Sequence, residues 1–180
     1  FGDRSVRGDF GVHERDVAVV GFGLFVHQRE DTGRARHAGR VRAALKEGKA
    51  IMFADLACTG ETLTPRPKIY RKLSDDMVSA MLLTLGRSLV GVRAEEMLVL
   101  ARELAARTGH APKVVAHGST CVAAAHAVAA RRELFRKVDL RQLPLSWTKA
   151  VETSAVINFV NVVRGALKDY DWTDLVTQHD

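Results

Sequence analysis

The stretch "VVAHGSTCVAAAHAVAA", residues 114–130, joins a short apolar run to an alanine-rich segment through a small polar turn. The β-branched pair Val114 and Val115 favours extended backbone, and the alanines that follow the turn favour helix. A strand that passes through a tight glycine-containing turn directly into a helix is the outline of a nucleophile elbow. The residue at the apex of this turn therefore decides which chemistry the chain can carry.

Apolar runs and amphipathic segments alternate along the rest of the chain. "KAIMFADLACTGET", residues 49–62, is typical of a parallel strand buried on both faces and followed by a loop. Residues 134–147 predict a further strand, and helices are expected over residues 29–49, 74–85 and 119–132, with one or two more over residues 151–176. The clearest helix, residues 90–109, has an apolar stripe and a closing glycine, namely Met97, Leu98, Ala101, Leu104, Ala105 and Gly109. The alternation predicts an α/β fold, a three-layer sandwich with a mostly parallel sheet.

Length and composition favour one domain. We expect the 180 residues to form a single unit, with residues 1–23 an N-terminal extension or an edge strand. Net charge is +6, but the basic residues are spread over many segments and aromatics are only 6%, which argues against nucleic-acid binding. The longest apolar run, residues 17–26, is too short to cross a bilayer. Residues 1–16 are charged and show no signal-peptide pattern, and a start at Phe1 fits an excised piece of a longer protein.

Four stretches, in the same order, resemble a known group of enzymes. They are "FADLACTGET" at 53–62, "GRSLVGVRAEEMLVLARELAAR" at 86–107, the elbow at 114–130 and "NVVRGALKDYDWTDL" at 161–175. Together they resemble the α/β-hydrolase superfamily, and within it the bacterial acetyl-xylan-esterase-like proteins, over most of the chain from about Leu24 onward. The resemblance implies ester hydrolysis by a Ser–His–acid triad, a polysaccharide ester as substrate, and a secreted or periplasmic location.

The nucleophile can be placed in two registers. The elbow pattern is small–x–nucleophile–x–small, because the tight turn brings the flanking residues together. With Ala116 as the first small residue, Gly118 stands at the nucleophile position and no nucleophile is present. Shifting by one residue makes Ser119 the nucleophile but places His117 where a small residue is required. Cys121 is a further option, and Ser119 also suits a helix N-cap.

The base and the acid are harder to find. After the elbow only His126, in the middle of a helix, and His179, next to the end of the chain, remain. In active relatives the position of His117 often carries a histidine that serves packing. The two later strands that usually carry the acid and the base are not predicted, and Asp169, Asp171 and Asp174 fit a turn and a helix cap better. Asp55 resembles the acid of a structural loop of the family.

Two function hypotheses follow, and a weaker third. The first is a degenerate or truncated hydrolase-like domain of a carbohydrate-active protein, non-catalytic and serving structure or interaction. The second is an active esterase with Ser119 as nucleophile and the rest of the triad outside this chain. The third is a basic domain that binds an anionic polymer. We expect no cofactor and no metal, since the seven histidines show no metal-ligand spacing. We also expect a second copy of this chain, or another protein chain, to cover an open edge of the sheet.

Overall fold

The computed structural model describes residues 75–177 and, before them, residues 42, 46, 52, 54–58 and 62. The predictions for residues 1–23, for Ser74 as a cap and for His179 lie outside these residues. Within them the chain is a mixed α/β structure, in which a small two-stranded parallel sheet packs against helices. Residues 42 and 46 are helical, as the prediction for residues 29–49 requires.

Within residues 75–112 two helices lead up to the sheet. Helix α1 spans Asp75–Thr84 and helix α2 spans Leu89–Thr108. The Ser88 hydroxyl accepts a hydrogen bond from the Gly91 amide at 3.0 Å and caps the start of α2, and Gly109 ends the helix at φ +73°. Three residues of the predicted stripe are fully buried, namely Met97, Ala101 and Leu104, and this face packs on the rest of the core.

The sheet is a single strand–helix–strand unit. Strand β1 (Lys113–His117) leads into helix α3 (Thr120–Ala130), a 3₁₀ turn spans Arg132–Leu134, and strand β2 (Lys137–Arg141) returns parallel to β1. The register pairs Lys113 with Lys137 and His117 with Arg141. This unit matches the strand, turn and helix predicted from residues 113–141.

Helix α3 is the centre of the core. It contacts α2, both strands and the C-terminal helix, and it is apolar on nearly every side. A helix that is surrounded by other elements must be hydrophobic all round, and its small side chains allow the neighbouring backbones to come close. Its buried residues are Thr120, Cys121, Val122, Ala123, Ala124, Ala125, Ala127 and Val128.

The C-terminal part departs from the predicted helices over residues 151–176. Helix α4 covers only Trp147–Glu152, and it is followed by 3₁₀ turns at Phe159–Asn161 and Ala166–Lys168 and by helix α5, Asp174–Thr177. Ser154 takes φ +51° just after α4, which ends the helix there. Two buried indoles anchor this part of the chain, and these contacts outweigh the helical spacing of its apolar residues. The indole N–H of Trp147 donates to the Asn161 carbonyl and that of Trp172 donates to the Leu145 carbonyl, both at 3.1 Å.

The stretch predicted as a strand before residue 57 is irregular where the structure describes it, at residues 52 and 54–56. Leu56 is nevertheless fully buried in the core. The turn at Ala57 and Cys58 is fixed to helix α2, because Glu96 accepts from the Ala57 amide at 2.7 Å and Arg93 donates to the Ala57 carbonyl at 3.0 Å. A pair of α2 side chains thus holds this segment in place.

Candidate functional site

The turn between β1 and α3 has its apex at Gly118. Its φ of +63° lies in the left-handed region, where residues with a Cβ pay a conformational penalty. The Gly118 amide donates to the Arg141 carbonyl at 2.8 Å, which extends the β1–β2 ladder by one bond, and its carbonyl accepts from the Cys121 amide. A Cβ placed on Gly118 would meet no atom within 4 Å, so the position is constrained by backbone angle and not by space.

Ser119 comes one residue after the apex. Its backbone angles, φ −59° and ψ −24°, are helical, and its half-buried side chain makes no capping hydrogen bond. The hydroxyl that closes the turn belongs to Thr120, which accepts from the His117 amide at 3.1 Å and donates to the His117 carbonyl at 3.0 Å. Thr120 therefore holds the shape of this turn, a role that was not predicted for it. Its signal in the sequence is a Thr in the first turn of a helix, where the hydroxyl can bond nearby backbone groups.

His117 and Cys121 lie on either side of the turn. His117 is the last residue of β1 and is half-buried, with both of its backbone groups bonded to Thr120. Cys121 is fully buried, and its thiol donates to the Arg141 carbonyl at 3.3 Å. Burial raises the pKa of Cys121 to about 11, so the sulfur stays protonated and is a poor nucleophile near neutral pH.

His126 faces the C-terminal part of the chain. Its Nδ1 lies 2.7 Å from the Val122 carbonyl and its Nε2 lies 3.0 Å from the Tyr170 hydroxyl. A carbonyl only accepts, so Nδ1 carries the proton and Nε2 accepts from Tyr170. Burial lowers the pKa of His126, which keeps the ring neutral near pH 7. Seven residues of helix separate it from Ser119, a rise of roughly 10 Å, so the structure does not bring the two together.

The carboxylates are used structurally. Asp171 accepts from the backbone amides of Trp147 at 3.1 Å and Thr148 at 2.8 Å and caps α4, while Asp174 accepts from the Asp171 amide at 2.7 Å. Asp169 is exposed on the turn that precedes them, and Asp55 is exposed in the described segment 54–58. Asp171 caps a helix as predicted, although that helix is α4 and not the final one, whereas Asp174 bonds the backbone of the turn.

A charged cluster lies on the two strands. Asp139 forms two hydrogen bonds with the Arg141 guanidinium and lies 3.5 Å from the Lys113 ammonium. The hydrogen bond from Arg141 is the main cause that lowers the pKa of Asp139, and the same bond raises the pKa of Arg141. The two cations keep Asp139 ionised, so this carboxylate has no proton to give, and the cluster carries one net positive charge.

Two shallow clefts lie on the C-terminal part and away from the Gly118 turn. One, of about 450 Å³, has a polar wall that includes Ser146, Thr148, Asp169, Tyr170 and Thr173. The other, of about 280 Å³, has an apolar wall that includes Trp147, Ile157, Val162 and Val163. None of their lining residues belongs to β1, to the turn or to α3.

The described residues contain no group of three or more His, Cys, Asp or Glu side chains that could hold a metal ion. In the same part of the chain no helix is, by itself, long and apolar enough for a membrane span; α1 and α2 satisfy both criteria only as a pair, and that pair is bent by 95°. Comparison with protein-family models, with curated proteins and with solved structures found no match to this chain.

Proposed function

We propose that this chain is a non-catalytic domain with the three-layer architecture of an α/β-hydrolase, from a carbohydrate-active protein similar to the acetyl-xylan esterases. Its role is structural or one of interaction. The single observation that carries the proposal is the position of Gly118, which stands at the positive-φ apex where such an elbow presents its nucleophile. The strand–turn–helix outline supports the family resemblance, and the side chain that is missing at the apex supports the loss of activity.

Acyl transfer needs a hydroxyl whose proton a base can take at hydrogen-bond distance. Ser119 has helical backbone angles one residue beyond the apex, so its hydroxyl leaves the turn in a different direction from a nucleophile at position 118. His126 already uses both ring nitrogens, one on Val122 and one on Tyr170. His126 is therefore not poised to activate Ser119.

The partners we propose follow from the same architecture. Among the described residues the sheet has two parallel strands, whose outer edges pair with no other described strand, and proteins usually cover such edges. A second copy of the chain, or another protein chain, would do so, and a polysaccharide ester is the ligand that the family resemblance suggests. These partners fit an interaction role as well as they would fit an active enzyme.

Ester hydrolysis separates the alternatives. Turnover of p-nitrophenyl acetate and of acetylated xylan is measured for the wild type, for Ser119→Ala and for Gly118→Ser. We expect the wild type and Ser119→Ala to turn over at the same background rate. Gly118→Ser should stay near that rate because His126 is bonded to Val122 and Tyr170 and lies about two helical turns away. A wild-type rate well above background that Ser119→Ala abolishes would instead establish an esterase with Ser119 as nucleophile and its other triad members elsewhere.

A further inference from the structure

His126 joins helix α3 to the last part of the chain, residues 146–176, named here the C-terminal segment. The imidazole forms a cluster of three rings with Trp147 and Tyr170 of that segment. Ring centroids are 6.1 Å apart for His126 and Trp147, 5.7 Å for His126 and Tyr170, and 6.0 Å for Trp147 and Tyr170. One titratable side chain thus lies at the contact between the central helix and the segment.

The hydrogen bonds of this ring suit its neutral form. Nδ1–H donates to the Val122 carbonyl on the same helix, and Nε2 accepts from the Tyr170 hydroxyl across the contact. A second proton on Nε2 turns the acceptor into a donor, so the Tyr170 hydroxyl has to rotate its hydrogen away. The bond to Val122 is unaffected, because that nitrogen already donates. Protonation therefore disturbs the side of the ring that faces the C-terminal segment.

The charged groups of the surrounding elements do not compensate a proton on this ring. In the described part of the chain its two nitrogens bond to no carboxylate, and the titratable group that faces it is the hydroxyl of Tyr170. The exposed Asp169 precedes Tyr170 in the chain, and its charge acts on the Tyr170 hydroxyl. Other ionisable groups of the surrounding elements are engaged with one another or with the backbone, namely Arg87, Arg93, Glu95, Glu96, Glu103, Arg107, Lys113, Arg131, Arg132, Glu133, Asp139, Arg141, Lys149, Glu152, Asp171 and Asp174. A charge on His126 is therefore buried without an acidic partner, a cost that opening the contact relieves.

We propose that His126 is an acid-sensitive latch, whose protonation loosens the C-terminal segment from helix α3. The latch does not depend on whether the chain hydrolyses esters. Burial also lowers the pKa of His126, which is the direction the geometry requires. Because the folded pKa lies below the unfolded value of 6.5, the closed contact is fully stable above pH 6.5 and weakens as the pH falls below it.

The test compares two titrations of the same protein. Nuclear magnetic resonance of the His126 ring gives its protonation curve, and amide hydrogen exchange over residues 166–176, corrected for intrinsic rates, gives the opening of the segment. We expect opening to rise as the pH falls below 6.5 and to level off near the midpoint of the ring curve. The total increase in opening should be about tenfold for each pH unit by which that midpoint lies below 6.5. A ring midpoint at or above 6.5, or opening that does not rise between pH 6.5 and the ring midpoint, would overturn the proposal even if no variant folds.

Two variants test whether His126 is the group whose protonation opens the segment. His126→Gln keeps an acceptor for Tyr170 but cannot be protonated, so its segment should stay equally protected from pH 7.5 to pH 5. The exposed His110 is the matched control, and His110→Gln should behave like the wild type. If His126→Gln loses protection on acidification as the wild type does, His126 is not the latch.

Discussion

The hydroxyl of Thr120 bonds both backbone groups of His117, accepting from its amide at 3.1 Å and donating to its carbonyl at 3.0 Å. Thr120 is fully buried, so its hydroxyl makes both hydrogen bonds away from bulk water. This pair fixes the end of β1 against the start of α3. The shape of the turn thus rests on Thr120 and Gly118. Ser119 lies between them, and its side chain makes no capping hydrogen bond.

Removal of this hydroxyl should destabilise the protein clearly. Thr120→Ala removes both hydrogen bonds between the Thr120 hydroxyl and the His117 backbone, and we expect a loss of about 1–3 kcal/mol in the free energy of unfolding, measured by denaturant titration. Thr120→Ser keeps the hydroxyl and should lose less. Ser119→Ala is the control, with a change within about 0.5 kcal/mol. A larger loss for Ser119→Ala than for Thr120→Ala would contradict the assignment.

The positive φ of Gly118 gives a graded prediction. Because a Cβ at this position meets no neighbour, the penalty for Gly118→Ala should come from backbone strain alone, about 1–2 kcal/mol. Gly118→Asn should lose less, since Asn tolerates the left-handed region, and Gly118→Val should lose more. Thermal unfolding of the three variants gives this order. Equal losses for Ala and Asn would show that the turn does not hold position 118 at positive φ.

The two cysteines should differ in reactivity. Cys121 is fully buried and its pKa is raised to about 11, so a thiol reagent at pH 8 should not modify it until the protein unfolds. Cys58 is half-buried and should react while the protein is folded. The rate of colour release with a disulfide reagent measures both, with Cys58→Ala and Cys121→Ala to assign each phase. A fast phase that disappears in Cys121→Ala would contradict the burial of Cys121.

Asp171 should make folding sensitive to strong acid. Burial acts to raise the pKa of Asp171, but hydrogen bonds from Thr148, Trp147 and Ser146 outweigh it and bring the pKa below its ordinary value of 3.8. A carboxyl whose folded pKa is depressed stabilises the fold above pH 3.8 and loses this contribution as the pH falls through the folded value. The free energy of unfolding should therefore decline in the wild type below pH 3.8.

The variant Asp171→Asn keeps one acceptor oxygen and loses the charge. We expect it to be less stable by about 1–3 kcal/mol at pH 7 and to show a flatter decline in acid. Asp169→Asn, at an exposed position of the same turn, is the matched control and should follow the wild type. If both variants decline with pH alike, the cap on α4 is not the group that titrates.

The features that depend on neighbouring residues in the chain could be predicted from the sequence. The apolar spacing of residues 90–109 and the glycine at its end gave helix α2 to within a residue or two, and the β-branched run before Gly118 gave strand β1. The first elbow register placed Gly118 at the apex, and the structure gives that glycine the positive φ of the turn. These features depend on side chains within a few residues of one another, which is why the sequence carries them.

Contacts between distant parts of the chain decided the remainder. Trp147 binds the Asn161 carbonyl and Asp171 caps a helix that starts 24 residues before it, so the segment that helical spacing assigned to helices folds as short turns instead. His126 finds its partner in Tyr170, 44 residues away, and this bond makes it a neutral buried ring and not a base beside Ser119. The sequence by itself determined the strand, the turn, the helices before it and the glycine at the apex. Only the tertiary structure decided which polar side chains meet, because such pairings depend on how the elements pack and not on their spacing along the chain.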